Sequence, residues 1–258
     1  MTPRWIFSIQ TLISVDKPYN TMDITRRELV VGGSSAIVGG SVGFAGGMAF
    51  EASVSDNTDT ESTEDEQSID ITTTNRATLG STDAPIKMVY WSDYQCPFCY
   101  RFETNTLPQL INQFVENNTL EIIVKPLSVF GNGSRRAAIG SHCVLEQTQS
   151  VDNWFQWHNL LYEEYAQNGE RNNGWAAPQN QADYAQSLDS ISPDELQQCI
   201  QSEQYTDRLQ TDYTEADSYG FEGTPFFLLY NNETNESETI TGAQPFSRFE
   251  TQITTLQN

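Results

Sequence analysis

The sequence predicts an α/β fold in which a mixed central sheet is interrupted by an inserted helical block. Three observations predict it. The β-branched and aromatic run Ile86 to Trp91 leads through a helical pattern into a second such run, Leu120 to Val124, which makes a β-α-β unit. The span from about 134 to 220 then carries helical periodicity without a strand signal. Finally the chain returns to an apolar run, Phe226 to Tyr230, a polar turn over Asn231 to Glu236, and a short strand near Glu238 to Thr241. Strand pairs on either side of a helical block imply a sheet completed late, with helices on both faces.

The segments before this domain are of another kind. Residues 1–21 hold no usable pattern. Residues 22–50 look like a twin-arginine export signal or a membrane anchor: Met22 is an alternative start, Arg26-Arg27 follow it, and the 22 residues from Leu29 to Phe50 are uncharged. At about 1.5 Å each they are long enough to cross a hydrocarbon core of roughly 30 Å. The seven glycines among them argue against a buried domain helix. Cleaved secretion and retention as an N-terminal anchor are both open. From 51 to 84 the chain carries nine acids against one arginine, with many Ser and Thr, and reads as a solvated linker that cannot bury enough surface to order itself.

The domain itself, 85–258, holds 23 Asp and Glu against eight Lys and Arg, so it is acidic without the linker. The whole chain has 13 bases against 35 acids and only three lysines, Lys17, Lys87 and Lys125. At molar salt the Debye length falls to about 3 Å, and like charges that would repel in dilute buffer are screened. A halophilic source is expected, with no nucleic-acid surface.

Within the β-α-β unit, Cys96-Pro97-Phe98-Cys99 falls at the junction between the first strand and a helix from about Pro97 to Glu116, which Pro108 should bend. Pro97 suits a first helical position. Unpaired N–H groups and the positive end of the helix dipole favour an anion there, so Cys96 is the candidate attacking thiolate. Cys99, one turn on and facing inward, is the candidate resolving thiol. A Cys-x-x-Cys pair also serves as half a zinc site or as a static disulfide. A zinc site needs a second close pair, whereas His142, Cys143, His158 and Cys199 are scattered singly.

The run Ser92-Asp93-Tyr94-Gln95-Cys96-Pro97-Phe98-Cys99 resembles the active-site segment of DsbA-like proteins of the thioredoxin superfamily. Gly223-Thr224-Pro225, before the strand Phe226 to Tyr230, matches the cis-proline that faces the reactive pair in that family. The resemblance covers about Leu79 to Asn258 and implies a thioredoxin-like fold with a helical insertion. It also implies that Thr224 and Pro225 hold the substrate chain against Cys96. Two departures bear on redox direction. Phe98 stands where the family's founding member has a histidine, and Tyr90 stands where relatives often carry a buried carboxylate. Oxidation, isomerisation and reduction therefore all stay open. Asp93 should raise the Cys96 pKa and Arg101 offset it.

Five helices are expected in the block: Ala137 to Glu146, Val151 to Tyr165, Gln181 to Leu188, Ser192 to Gln201 and Tyr205 to Tyr219. The fourth is signed by Ser192, Pro193 and Glu195 as a capping box, and Gly220 suits the end of the fifth. With Cys96 and Cys99 claiming each other, Cys143 and Cys199 are left to form a structural disulfide, as in some DsbA-like proteins; two reduced buried cysteines are the alternative. His142 and His158 lie on helices, beside or among core positions, and read as packed or surface-exposed residues rather than ligands. Sequons stand at Asn117, Asn132, Asn232 and Asn235. A last helix presents Phe246, Phe249, Ile253 and Leu256 on one face, with Pro245 near its start.

The resulting expectation is an extracytoplasmic thiol-disulfide oxidoreductase, secreted or anchored to the outer face of the cell membrane. Its partners would be cysteine-containing exported proteins and a membrane redox partner, with membrane contact through the N-terminal segment only. The pair itself carries the electrons, so no metal and no other cofactor is called for. The competing expectation is a surface-tethered binding module in which Cys96 and Cys99 staple the fold.

Overall fold

The computed structural model describes residues 69–168 and 171–258. The expectations for 1–21, for 22–50 and for the linker up to residue 68 lie outside the described residues. A five-stranded sheet has the order β1-β3-β2-β4-β5. Its strands are β1 (Ala77–Leu79), β2 (Ile86–Ser92), β3 (Leu120–Pro126), β4 (Phe226–Asn231) and β5 (Ser237–Thr241). The β2–β3 pair is parallel and the other three pairings are antiparallel, so the sheet is mixed, as the sequence predicts. Every residue of β2 and β4 is buried, which fits central strands, whereas β5 buries only Ile240 and forms an edge.

The linker expectation needs correction at its end. Residues 77–79 are not solvated tether but strand β1, with Ala77 and Leu79 turned inward opposite Val124 and Ile122. Two inward residues and one buried arginine are too small a signal for a composition window to register. They are enough to fix the strand because its partner β3 is already in place.

Helix α1 (Pro97–Asn105) stops at Thr106, α2 (Leu107–Leu110) follows, and Ile111–Val115 forms a π-helical turn. The break lies just ahead of Pro108, which lacks an N–H and whose ring would collide with the carbonyl four residues back. Thr106 Oγ1 donates to the Gln244 carbonyl at 3.2 Å, fixing the break against the loop before α8 (Phe246–Leu256). Phe102, Leu110, Ile111, Phe249 and Ile253 cover one sheet face together with Tyr90, Phe227 and Leu229. The other face, Val89, Trp91, Phe226 and Leu228, meets Ala216, Tyr219 and the leading residues Ile69 and Ile71. Each large apolar side chain so buried contributes about 1.5–3 kcal/mol.

The helical block comprises α3 (Asn132–Thr148), α4 (Val151–Asn168), α5 (Pro178–Ala185), α6 (Pro193–Gln201) and α7 (Thr206–Ser218). It has its own core, built on Ala138, Ile139, Trp157, Leu161, Leu196 and Ile200, and that core also takes in Tyr94, Cys96 and Cys99. Ser192 is the N-cap of α6, but its side chain makes no capping bond. Gln147 from α3 takes over: its Oε1 accepts from the Ser192 N–H at 2.8 Å and its Nε2 donates to Glu195 at 2.8 Å. The predicted local box is thus replaced by a bond between helices. Gly220 closes α7 at φ +83°, where a side chain would be strained.

Among the described residues the buried Lys and Arg all stand in ion pairs. Lys87 and Glu121 face each other across β2 and β3 at 2.6 Å. Lys125 lies 3.4 Å from Asp212 and also bonds Glu215, while Arg76 holds Asp212 at 2.8 Å, so β1 and β3 are locked to α7. Replacing one partner of a buried pair strands the other. Lys87→Met, which leaves the buried Glu121 without its base, should cost about 3–5 kcal/mol, against less than about 1 kcal/mol for Arg248→Met at the exposed pair with Glu238. Urea denaturation at constant salt measures both, and equal losses would sink the distinction.

Candidate functional site

The C-terminal end of β2 delivers the chain into α1 through a turn held by Asp93. Its carboxylate accepts from the Gln95 N–H at 2.7 Å, the Ser134 hydroxyl at 2.7 Å, the Val129 N–H at 2.7 Å and the Phe130 N–H at 3.3 Å. Burial pushes this carboxyl above its ordinary range, and the four donors act against that rise. Asp93 therefore binds the turn before the cysteines to the loop leading into α3.

Gln95 makes a second clasp. Its Oε1 accepts from the Asn172 N–H at 2.7 Å, and its Nε2 donates to Ser134 Oγ at 3.0 Å and Asn172 Oδ1 at 3.3 Å. A Cβ at Gly133 would stand 2.6 Å from the Gln95 amide, so only glycine leaves room for that side chain. None of these partners is near Gln95 in sequence, and no local pattern announces them.

Cys96 is the N-cap of α1 and Pro97 its first residue. Cys99 is fully buried, and its sulfur accepts from the Asp93 N–H at 3.5 Å. Both sulfurs are free thiols. The register that sets Trp91 against Phe226 continues past both strands, bringing Thr224 and the cis Thr224–Pro225 bond beside the cysteine turn. The Cys96 thiol donates to the Thr224 carbonyl at 3.2 Å. The structure thus brings together Cys96, Cys99, Thr224 and Pro225. Cys143 and Cys199 lie elsewhere, joined to each other between α3 and α6.

The two thiols are driven apart. Burial pushes Cys99 up, and its hydrogen bond to Cys96 keeps the proton on it, with the Cys96 charge adding to the rise. Cys96 is lowered from 9.0 to about 6, chiefly because the Cys99 thiol donates to it, against burial and with help from Thr224 and the N–H groups of Cys99 and Phe98. The carbonyl contact serves only the protonated form. The Thr224 hydroxyl, buried and without another partner, is the donor available to the thiolate. Phe98 thus supports the anion through its backbone although its ring does not. The roles expected of Asp93 and Arg101 change as well: the Asp93 charge bears on Cys99, and Arg101 stands over the Phe98 ring at 4.9 Å.

Beneath the pair lies a polar network. His158 Nδ1 is 2.9 Å from the Tyr94 hydroxyl, which bonds Ser141 at 3.0 Å, and His158 Nε2 is 3.0 Å from Glu103. His158 is packed, as expected, yet its ring bridges α1 to the helical block. His142 is buried near Arg76 and Arg208, away from the cysteines; burial first and those charges second lower it to about 3. Among the described residues no three His, Cys, Asp or Glu side chains converge on a metal position, so the zinc alternative finds no ligand set there.

Comparison with known proteins gives the following. Residues 72–246 match the family Thioredoxin_4, described as thioredoxin. Disulfide bond formation protein D of Bacillus subtilis is 26% identical over 155 residues, which are 60% of this chain and 67% of that protein. The crystal structure of oxidised BdbD from Bacillus subtilis superposes with a TM-score of 0.61 at 22% identity, covering 71% of this chain and 94% of that one. That of Wolbachia pipientis alpha-DsbA1 gives 0.60 at 20%, covering 71% and 91%. The likeness of these two structures establishes the fold.

Ionisation of Cys96 links to stability with a definite sign. Its folded pKa lies below its unfolded one, so the contribution is full above pH 9 and disappears as pH falls through about 6. Thiolate absorbance of the reduced protein should titrate near pH 6, and Thr224→Val should raise that midpoint by about one pH unit. A midpoint at the free-cysteine value, or one indifferent to Thr224→Val, contradicts this account.

Proposed function

The chain belongs to the thioredoxin family Thioredoxin_4, and from that premise we propose that Cys96 and Cys99 are its redox-active couple. It is a DsbA-like thiol-disulfide oxidoreductase acting on cysteine-containing proteins. The observation that carries the assignment of the couple is the placement of two free sulfurs one helical turn apart, Cys99 fully buried and Cys96 at the N-cap of α1, 3.2 Å from the Thr224 carbonyl beside the cis Thr224–Pro225 bond.

In the oxidised enzyme a substrate thiolate attacks Cys96 Sγ. The Cys96–Cys99 bond breaks, Cys99 leaves with the electron pair and takes a proton, and a mixed disulfide joins substrate to Cys96. A second substrate thiolate then attacks the substrate sulfur of that bond, and Cys96 leaves as its stabilised thiolate. Substrate departs with a disulfide, and the couple holds two electrons and one retained proton. Because the low Cys96 pKa favours the reduced enzyme and makes Cys96 a good leaving group, oxidation of substrate is the favoured direction. A redox partner at the membrane is then needed to remove the electrons. Thr224 and the cis Pro225 lie where an extended substrate segment would pair, one residue from the start of β4. Cys143–Cys199, closing a loop of 56 residues between two helices, serves as a brace for the helical block.

Two tests separate catalysis from stapling. Cys96→Ser should abolish oxidation of a reduced unfolded protein, and Cys99→Ser should accumulate covalent mixed disulfides visible on a non-reducing gel. If the double variant retained full partner binding and the parent gave no turnover, the binding-module reading would replace this one.

The N-terminal segments belong to the same proposal. Arg26-Arg27 and the uncharged run to Phe50 direct export, an acidic tether follows, and the domain works in a salt-rich medium outside the cytoplasm, on exported proteins. No helix among the described residues is long and apolar enough to cross a membrane. Replacing Arg26 and Arg27 by Lys should leave the protein in the cytoplasmic fraction. Unchanged export would exclude a twin-arginine route.

A further inference from the structure

The basic residues are distributed unevenly. Among the described residues there are nine Lys and Arg. Six are committed to carboxylates: Arg76, Lys87, Lys125, Arg135, Arg208 and Arg248. The other three, Arg101, Arg136 and Arg171, form no ion pair with a described carboxylate, and all three stand around the cysteine turn. Arg171 lies 3.7 Å over the Phe130 ring and donates through Nε to the carbonyl of Gln95, the residue before Cys96, at 3.3 Å. These contacts hold the guanidinium in place and leave its terminal nitrogens free of described partners. Arg101 is presented in the same way over Phe98, a ring half exposed beside Cys96. Arg136 is exposed and lines a cavity of about 310 Å³ together with Gln95, Asn132, Asn172 and Trp175. No carboxylate lines that cavity. The acid whose charge Arg136 meets, Glu203, is already bonded to Arg135 at 2.9 Å.

On a domain of 23 acids and eight bases, the three arginines without an ion-pair partner among the described carboxylates all fall around one turn. A guanidinium over an aromatic ring keeps its planar donor edge for a carboxylate, which it binds through paired hydrogen bonds at contact distance. Contact pairs of this kind survive molar salt better than long-range fields, whose reach falls to about 3 Å. The cavity is of side-chain size, near the lower limit of about 300 Å³ for ligand pockets.

We infer that this mouth selects acidic substrate segments: Arg101, Arg136 and Arg171 receive Asp or Glu side chains lying within about three residues of the reacting cysteine, and the cavity beside Gln95 takes one of them. The inference rests on the oxidoreductase reading and names its substrate class.

The test uses two reduced peptides identical except that Asp and Glu around the cysteine are replaced by Asn and Gln. With the full oxidised chain at constant molar salt, kcat/KM for the acidic peptide should exceed that for its amide counterpart about tenfold. Arg136→Gln should reduce this ratio to about threefold, and Arg136→Glu should bring it to one or below. Equal rates for the two peptides, or variants that slow both alike, overturn the inference. Binding of the same peptides with Ser in place of Cys, followed by fluorescence anisotropy, needs no turnover. A several-fold preference for the acidic Ser peptide, lost in Arg136→Glu, supports the acidic dock even if oxidation fails; equal affinities refute it while leaving the redox assignment standing.

Discussion

The molecule depends on the unequal surroundings of two sulfurs held one helical turn apart. Cys99 is sunk in apolar packing where a charge would be unsolvated, so it keeps its proton and can donate it. Cys96 stands at the helix start, where that donated proton and two backbone N–H groups meet it. Neither sulfur could be poised alone. The difference needs the sheet to end at Ser92, the helix to begin at Pro97, and a third segment to close over the turn from Thr224.

That requirement explains why the helical block is part of the site rather than an addition to it. The cysteines pack with Ala138, Trp157 and Leu161, not with the sheet core. Asp93 and Gln95 bind the same turn to the start of α3 and to the segment before α5. A displacement of either segment would alter the dielectric and the donors around the reactive pair.

Much of this was legible in the sequence because it is written locally. Ile86 to Trp91 and Phe226 to Tyr230 announce buried strands by composition, Pro97 marks a helix start, and Pro108 marks its break. Cys96, Cys99, Thr224 and Pro225 could be named since two short motifs carry them. What escaped was long-range. β1 owes its existence to the distant strand β3, where Ala77 meets Val124 and Leu79 meets Ile122, and Gln147 from another helix replaces the capping box that Ser192 and Glu195 spell locally. The clasp of Gln95 on Asn172 and the bridge from Tyr94 through His158 to Glu103 join residues that only the finished fold makes neighbours. The charge roles of Asp93 and Arg101 failed for the same reason, since sequence distance from Cys96 says nothing about where a carboxylate or guanidinium turns.

The interior placement of lysine has one more result. Both described lysines, Lys87 and Lys125, are buried and occupied by carboxylates, and every exposed base of the domain is an arginine. Reagents and enzymes that modify primary amines would find no accessible target on the described surface of the folded domain. At Lys87 and Lys125, conjugation, cross-linking or acylation would instead report unfolding of the domain, since loss of the strand core is what would uncover these two ε-amino groups.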